Sequence, residues 1–466
     1  MMDAALDPVW AWEPYRPSPQ EPWDLRKVGH LYRRAAFGAS HAELEKGLRA
    51  GPERAIDHLL AGGDGQDKFD SQTQGMVPSI ERVNNGFQAR AWWLYRMLYS
   101  PHPLKEKLTL FWHNHFATSN AKVNNAGFML EQYALLYRHA LASFRDLLQD
   151  ISKNPAMLVW LDTNLSKKGM PNENYARELM ELFSLGIGNY TEADVREAAK
   201  AFTGWEISDR KARFVPARHD DSVKTILGQK GKWTGADIVR ICLEQQSASP
   251  FIVNKLYRFL ISETAGPTPA LIAPLAERFR KSNYDFGDLV QTMLRSNLFF
   301  APAAYRAQVK SPICFALGIV HGLEGRVGTP AMVQALEELG QNVGYPPSVK
   351  GWDGGPAWLN GQTLLSRQNL ALALTSTEDA RFGRHIDPAE LARRHDLRTD
   401  DLLVQFVLDL FLQGDVAADT RARLMQYLRD SAGKGMPAYW SAEDAADHRI
   451  RTVCYLVLTL PEFQLA

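Results

Sequence analysis

Two closely spaced histidines, His113 and His115, are the first residues of this sequence whose type and spacing suit metal or acid–base chemistry. The predicted helix around them has an apolar stripe at helical spacing, formed by Leu104, Leu108, Phe111 and His115. Since each helical residue turns about 100°, His113 would lie about 200° from His115. The two imidazoles could therefore share a metal only if the helix ended near His113. The alternative is a core histidine bonded to a backbone carbonyl.

A second polar group lies on the helix predicted from residue 172 to residue 185. Asn174, Glu178 and Glu181 fall at positions i, i+4 and i+7, within about 60° around the helix axis. Grouped buried carboxylates are costly unless a cation, a shared proton or an arginine neutralises them. The alternative is a solvated face on which Glu173, Arg177 and Glu181 form i,i+4 pairs.

The third group, His219, Asp220 and Lys224, lies in and after a predicted turn between two short β segments, 213–215 and 223–227. Histidine and aspartate in loops are common metal ligands and equally common turn residues. This group alone does not decide between the two roles.

A loop rich in proline and glycine, residues 344–361, contains Trp352 and Trp358. Tryptophan in a loop is costly unless its ring packs against the protein or binds a ligand or partner. We therefore expect this loop either to cover a site or to anchor a partner.

Helical periodicity broken by proline and glycine dominates the rest of the chain. It predicts an all-α fold, a large bundle-like array of many helices with one small antiparallel β-hairpin. We expect an N-terminal extension (1–22), a helical core carrying the motifs (23–375) and a C-terminal helical subdomain (376–466).

Composition limits the possible partners. The 466 residues carry 53 Lys plus Arg and 53 Asp plus Glu, so no global positive field attracts nucleic acid. No stretch is apolar enough to span a membrane. The N-terminal residues lack an export-signal pattern, which predicts a cytoplasmic protein, or a periplasmic or exported one if the start is truncated. Cys242, Cys314 and Cys454 are expected to be small buried hydrophobes.

Several ordered strings, FWHNHFATS, PNENYARELMELFSLG, HDDSVKTILGQ and PPSVKGWDGGPAWLN, resemble the bacterial domain of unknown function 1800 family. The resemblance extends from about Leu31 to Gln464. It implies a family whose members are often exported and often encoded beside a sulfatase-like partner protein. Many relatives carry histidine where this chain has Phe183, so position 183 cannot serve here as a ligand or base.

The first functional hypothesis is a metal-dependent enzyme, with hydrolase as the favoured class. A divalent metal (Zn, Mn or Fe) would be held by His113, His115, His219 and Asp220. The catalytic groups would be Glu178, Glu181 and Lys224, and the substrate would contact Asn174, Arg177, Trp352 and Trp358.

Two alternatives remain at this point. The first is a non-catalytic helical binding or assembly protein, in which the polar residues form a structural network. It is favoured if Glu178 and Glu181 are each paired with Arg or Lys and no cleft lies beside them. The second is a metal-free enzyme with two carboxyl groups about 5–10 Å apart across a cleft. Oligomeric state is not predicted.

Overall fold

The computed structural model describes residues 6–376, 379–383, 386–431 and 441–466. These residues form a predominantly helical protein with two small antiparallel sheets. The predicted all-α fold class is confirmed. Within the described ranges, no helix combines the length and apolar character needed to cross a membrane.

The helices up to residue 201 wrap around a central helix, α7, which contacts α3, α6 and α9. Their bounds are α1 Pro8–Trp12, α2 Leu25–Ala35, α3 His41–Ala61, α4 Gln66–Gln74, α5 Val77–Val83, α6 Gly86–Tyr99, α7 Pro103–His115, α8 Asn120–Val123, α9 Ala126–Arg138, α10 Phe144–Ile151, α11 Pro155–Trp160, α12 Asn174–Glu178 and α13 Glu192–Ala201. A π-helical segment, Leu179–Ser184, continues α12 directly.

The second part of the chain adds a further set of helices and closes with a short 3-10 turn, Pro461–Gln464. Their bounds are α14 Gly235–Glu244, α15 Ala248–Leu260, α16 Pro269–Lys281, α17 Phe286–Arg295, α18 Pro312–Gly322, α19 Thr329–Glu338, α20 Gly361–Thr375, α21 Pro388–Arg394, α22 Asp400–Leu412, α23 Ala418–Ser431 and α24 Ala442–Thr459.

The β structure consists of two separate hairpins. Strand β1 (Trp205–Ser208) pairs with β2 (Lys211–Phe214), and β3 (Lys224–Ile226) pairs with β4 (Gln229–Gly231). The two segments expected to pair with each other therefore each pair with a neighbour instead. Both hairpins close through two residues with positive φ, Asp209–Arg210 and Leu227–Gly228. This is the backbone conformation of tight type I′ turns, which favours pairing between adjacent segments.

Helix α7 is buried along most of its length, which explains why it can position a site. Pro103 occupies its first turn, where a missing N–H costs nothing, and the His102 side chain accepts a hydrogen bond from the Lys105 amide. Leu104, Leu108 and Trp112 are completely buried. Neighbouring helices therefore fix the direction of every side chain at the C-terminal end of α7.

Most of the described apolar core is one large contact cluster, and Val123, Phe128 and Ala156 form a small second one. The large cluster includes Phe411 and Phe463 from the predicted C-terminal subdomain together with residues of α2 and α7. Residues 377, 378, 384 and 385, at the predicted boundary, lie outside the described residues, as do residues 1–5 of the predicted N-terminal extension. In the rest of that extension, Trp12 donates its indole N–H to the Leu271 carbonyl at 2.7 Å. The domain division stays a prediction.

Candidate functional site

The two histidines of α7 point in different directions, because the helix continues through His115 instead of ending at His113. The condition under which both imidazoles could share a metal is therefore not met. His113 is 1% exposed, and its Nε2 atom accepts a hydrogen bond from the Gly344 amide at 3.1 Å. Burial lowers the pKa of His113 to about 4, so the ring is neutral near pH 7.

His113 and its neighbour Asn114 hold the tryptophan loop, residues 344–361, against α7. The Trp352 amide donates to Asn114 Oδ1 at 2.8 Å, and the Asn120 amide donates to the Gly344 carbonyl at 2.8 Å. The Trp352 ring lies 5.6 Å from the His113 ring. One face of α7 therefore fixes the loop, and the other remains free to line a cleft.

His115 lies on the cleft face and forms a dyad with Lys255 of α15. His115 Nδ1 is 3.0 Å from Lys255 Nζ, and His115 Nε2 is 3.1 Å from the Phe183 carbonyl. Since the carbonyl can only accept, Nε2 carries the proton and Nδ1 accepts from the lysine. Burial and the Lys255 charge place the pKa of His115 well below its usual range, and burial lowers the pKa of Lys255 to about 8.

This dyad borders a cleft of about 430 Å³, a volume typical of sites for small ligands. Trp352 and Trp358 of the tryptophan loop also line it, and each is 8% exposed. Three predicted site residues, His115, Trp352 and Trp358, thus border one cavity.

The cleft contains an excess of cationic side chains. Six cationic side chains line it, against the two carboxylate side chains of Glu263 and Asp353. The six are Arg33, Lys107, Lys255, Arg258, Lys310 and Lys350. Within the described part of the chain, none of the six forms an ion pair closer than 4.0 Å.

Four of these residues, Arg33, Lys107, Lys255 and Lys310, are buried or partly buried, and we call them the inner cations. Burial and neighbouring positive charges place the pKa of Lys310 well below its usual range. Burial likewise lowers the pKa of Arg33 to about 10. Uncompensated buried charge is costly, so this group favours a bound anion.

The floor of the cleft includes Cys314, which departs from its prediction. Cys242 and Cys454 are buried as expected, whereas Cys314 is partly exposed and borders the cleft. Its sulfur lies 2.9 Å from Lys107 Nζ.

Glu178 and Glu181 lie where α12 changes into the π-helical segment, a feature frequent at functional sites. Both are partly buried, and Tyr190 donates its hydroxyl to Glu181 at 2.8 Å. Burial and the Glu181 charge raise the pKa of Glu178, while Arg177 and Lys350 oppose the rise. Among the described residues, neither carboxylate forms an ion pair within 4.0 Å. The pairing that would have favoured a purely structural role is therefore not observed.

Two predicted substrate-binding residues lie on the surface of α12. Asn174 is exposed, and its backbone N–H donates a hydrogen bond to Asn172 Oδ1 at 2.8 Å. Arg177 forms ion pairs with Glu192 at 2.7 Å and with Glu173 at 3.3 Å. Neither residue borders the cleft.

His219, Asp220 and Lys224 form a separate cluster around Thr203. His219 Nδ1 lies 3.0 Å from the Thr203 carbonyl, and the Asp220 amide donates to Thr203 Oγ1 at 2.8 Å. Lys224, 1% exposed, donates to the backbone carbonyls of Asp220 and Ser222 at 2.6 and 3.0 Å. Burial lowers the pKa of Lys224. These contacts stabilise a turn, and none of the three residues borders the cleft.

The predicted metal ligands do not converge. Within the described ranges, no group of three or more His, Cys, Asp or Glu side chains is arranged to hold a metal ion. Each of His113, His115 and His219 already has a protein partner on at least one ring nitrogen. The described residues therefore form no assembled metal site.

The cations that define the cleft were not predicted from the sequence. Lys107 carried a usable signal, because it interrupts the buried surface of α7 between Leu104 and Phe111. Lys255 and Lys310 lie on distant segments and carry no pattern of their own. Only the packing of α2, α7, α15 and the segment before α18 brings these residues together.

The fold and the cleft define a helical protein with an enclosed cationic pocket under a tryptophan loop. The chain belongs to the family described as Protein of unknown function (DUF1800), whose model matches residues 30–465. Comparison with curated proteins and with solved structures finds no significant match.

Proposed function

We propose that the protein binds a small organic ligand carrying an oxyanion group, phosphate, sulfate or carboxylate, in the cleft beneath the tryptophan loop. One observation carries this proposal: six cationic side chains line the cleft without an ion pair in the described part of the chain. An anion would offset the cost of the inner cations by direct hydrogen bonding and by charge.

The surrounding groups favour an organic ligand over a bare ion. The cleft exceeds the size of a single oxyanion, and its walls include Phe111, Phe259, Trp352 and Trp358. Aromatic rings supply apolar contact to the body of a ligand, while a few charged groups fix its orientation. The Lys255–His115 dyad adds a lysine of lowered pKa that can donate a proton to the bound anion.

Isothermal titration calorimetry at constant ionic strength tests this proposal, with phosphate, sulfate and glucose 6-phosphate as ligands and chloride as the reference. We expect at least one oxyanion to bind with a Kd below about 1 mM, equivalent to about 4 kcal/mol. Lys255→Met and Lys310→Met should each weaken binding by about tenfold or more, since each removes a direct charge.

The matched control is Lys281→Met, which removes an exposed lysine of α16 that pairs with Glu277. This variant should bind with unchanged affinity. Equal affinity of all four proteins, or no binding by folded wild-type protein, would refute the proposal.

A hydrolase is the second candidate, favoured by the half-buried carboxylates Glu178 and Glu181. Neither lines the cleft, but the charge of the cleft residue Lys350 acts on the pKa of Glu178. Glu178, with its raised pKa, would act as the acid or base in hydrolysis of the bound ligand. The metal content of purified protein and hydrolysis by Glu178→Gln test this candidate. Absence of bound Zn, Mn and Fe, together with unchanged turnover in the variant, would exclude it and leave the binding function.

A further inference from the structure

Cys314 lies at the N-terminal end of α18, an 11-residue helix, with its side chain at the floor of the cleft. It is the third residue of the helix, and its amide donates to Ser311 Oγ at 3.3 Å. The N-terminal end of a helix carries a partial positive charge, which stabilises an anion placed there. The location therefore favours a thiolate over a thiol.

A fixed ammonium group faces the sulfur. Lys107 Nζ lies 2.9 Å from Cys314 Sγ and donates to the Ala36 carbonyl at 2.9 Å. The lysine is 4% exposed and forms no ion pair among the described residues. The nearest group able to balance its charge is the sulfur itself.

A second buried lysine borders the same part of the cleft. Lys310 is 5% exposed and borders the cleft, and its Nζ lies 3.5 Å from the centre of the Phe463 ring. In the described ranges, the side-chain nitrogen of Lys310 donates no hydrogen bond and forms no ion pair. Lys107 and Lys310 thus have no carboxylate partner at the floor of the cleft, and a thiolate or a ligand anion there would stabilise their charged forms.

The pKa values of the three cysteines shift in different directions, and the difference also favours a thiolate at Cys314. Burial is the largest cause that raises the pKa of Cys242 and that of Cys454 to about 12. Burial also raises the pKa of Cys314, but Lys107, Ser311 and Lys310 outweigh it, and the net shift is downward. Only Cys314 combines access to the cleft with stabilisation of its anionic form.

We propose that Cys314 is a reactive thiolate that forms a covalent bond with electrophilic ligands entering the cleft. The inference rests on the proposed function, because the inner cations are what would draw an anionic electrophile to the sulfur. In the reaction, a sulfur electron pair forms a bond to carbon, and the leaving group departs with the electrons of the broken bond. No proton is transferred in this step, because the attacking group is the thiolate.

Alkylation of the native protein with iodoacetamide across pH 5–10, read by mass spectrometry of each cysteine peptide, tests the thiolate. We expect Cys314 to react with a midpoint at least one pH unit below that of the same peptide in denatured protein. A pKa lower by one unit raises the thiolate fraction at pH 7 about tenfold and lowers its intrinsic reactivity about threefold, a net gain of about threefold. Cys242 and Cys454 serve as internal controls and should remain unlabelled while the protein is folded.

Lys107→Met should move the Cys314 midpoint upward and slow labelling at pH 7 by about threefold or more, whereas Lys281→Met should leave both unchanged. Cys314→Ser should abolish the low-pH labelling. If Lys107→Met does not fold, the wild-type midpoint decides alone. A native midpoint equal to or above the denatured one, or no native labelling of Cys314, would overturn the inference.

Iodoacetate separates this inference from the proposed function. With an anion-binding cleft, the ratio of the iodoacetate rate to the iodoacetamide rate at Cys314 should be higher in native than in denatured protein, and phosphate should slow both native reactions. A low midpoint with no rise in that ratio and no phosphate protection would support the thiolate and refute anion binding. Phosphate binding by calorimetry with an unshifted midpoint would refute only the thiolate.

Discussion

At the scale of single residues, His113, Asn114 and His115 make contacts from two different faces of one helix. His113 and Asn114 fix the tryptophan loop, and His115 orients Lys255 at the cleft. The sequence analysis made this divergence conditional on a helix that continues past His113, and α7 does extend to His115. The hydrogen-bond partners of the two rings could not be predicted from the sequence, because Gly344 and Lys255 lie far along the chain.

Burial of a neutral His113 predicts a pH-dependent stability. The folded-state pKa is about 4, below the ordinary value of 6.5, so the unfolded chain binds this proton more readily. Stability contributed by this residue is therefore present near pH 7 and is lost as the pH falls toward 4. Between pH 7 and pH 5 the loss should be about 2 kcal/mol.

Urea unfolding of wild-type protein and of His113→Gln at both pH values measures this contribution. The glutamine can still accept from the Gly344 amide but cannot take up a proton, so the loss should shrink by about 2 kcal/mol. His58→Gln, at an exposed position of α3, is the control and should behave like wild type. An identical loss in His113→Gln and wild type would contradict the assignment.

At the scale of elements, the tryptophan loop and the start of α18 are shaped by local contacts that the sequence only partly reveals. The unusual composition of residues 344–361 indicated that the loop packs or binds, and Trp352 and Trp358 do border the cleft. The π-helical continuation of α12 was not predicted, because a pattern of apolar residues over six positions does not distinguish α from π geometry. The two hairpins were missed as separate units, since neither turn contains the Asn-Gly or Asp-Gly pair typical of type I′.

Gly351 should be essential to the position of the tryptophan loop. Its φ is +82°, and an added Cβ would lie 2.5 Å from the Asn114 carbonyl oxygen, a backbone atom that cannot move aside. Gly351→Ala should therefore displace Trp352, weaken phosphate binding by about tenfold and lower the free energy of unfolding by about 2 kcal/mol.

Gly340→Ala is a matched control, because Gly340 has a φ of +90° but no atom within 4 Å of its added Cβ. It should show only the smaller cost of positive φ, about 1 kcal/mol, with unchanged affinity. Calorimetry and urea unfolding of both variants give the comparison. Equal phosphate affinity in the two variants would show that the loop does not shape the binding site.

At the scale of the whole molecule, helical periodicity and the ordered motifs were sufficient to predict the fold class and the family. They were not sufficient to locate the cleft, because its six cations come from α2, α7, α15, the segment before α18 and the tryptophan loop. Each is an ordinary Lys or Arg in a chain whose net charge is zero. The sequence directed attention to grouped carboxylates, whereas packing lines one cleft with six basic side chains that form no ion pair in the described part of the chain.

The position of a bound oxyanion tests the central claim most directly. Crystals soaked in millimolar selenate, a sulfate analogue, would reveal the anion by anomalous scattering of selenium. Binding at the proposed site predicts a selenium peak in the cleft within hydrogen-bonding reach of Lys255 or Lys310, lost when phosphate is added in excess. Selenium peaks confined to the outer surface, with an unoccupied cleft, would contradict the account.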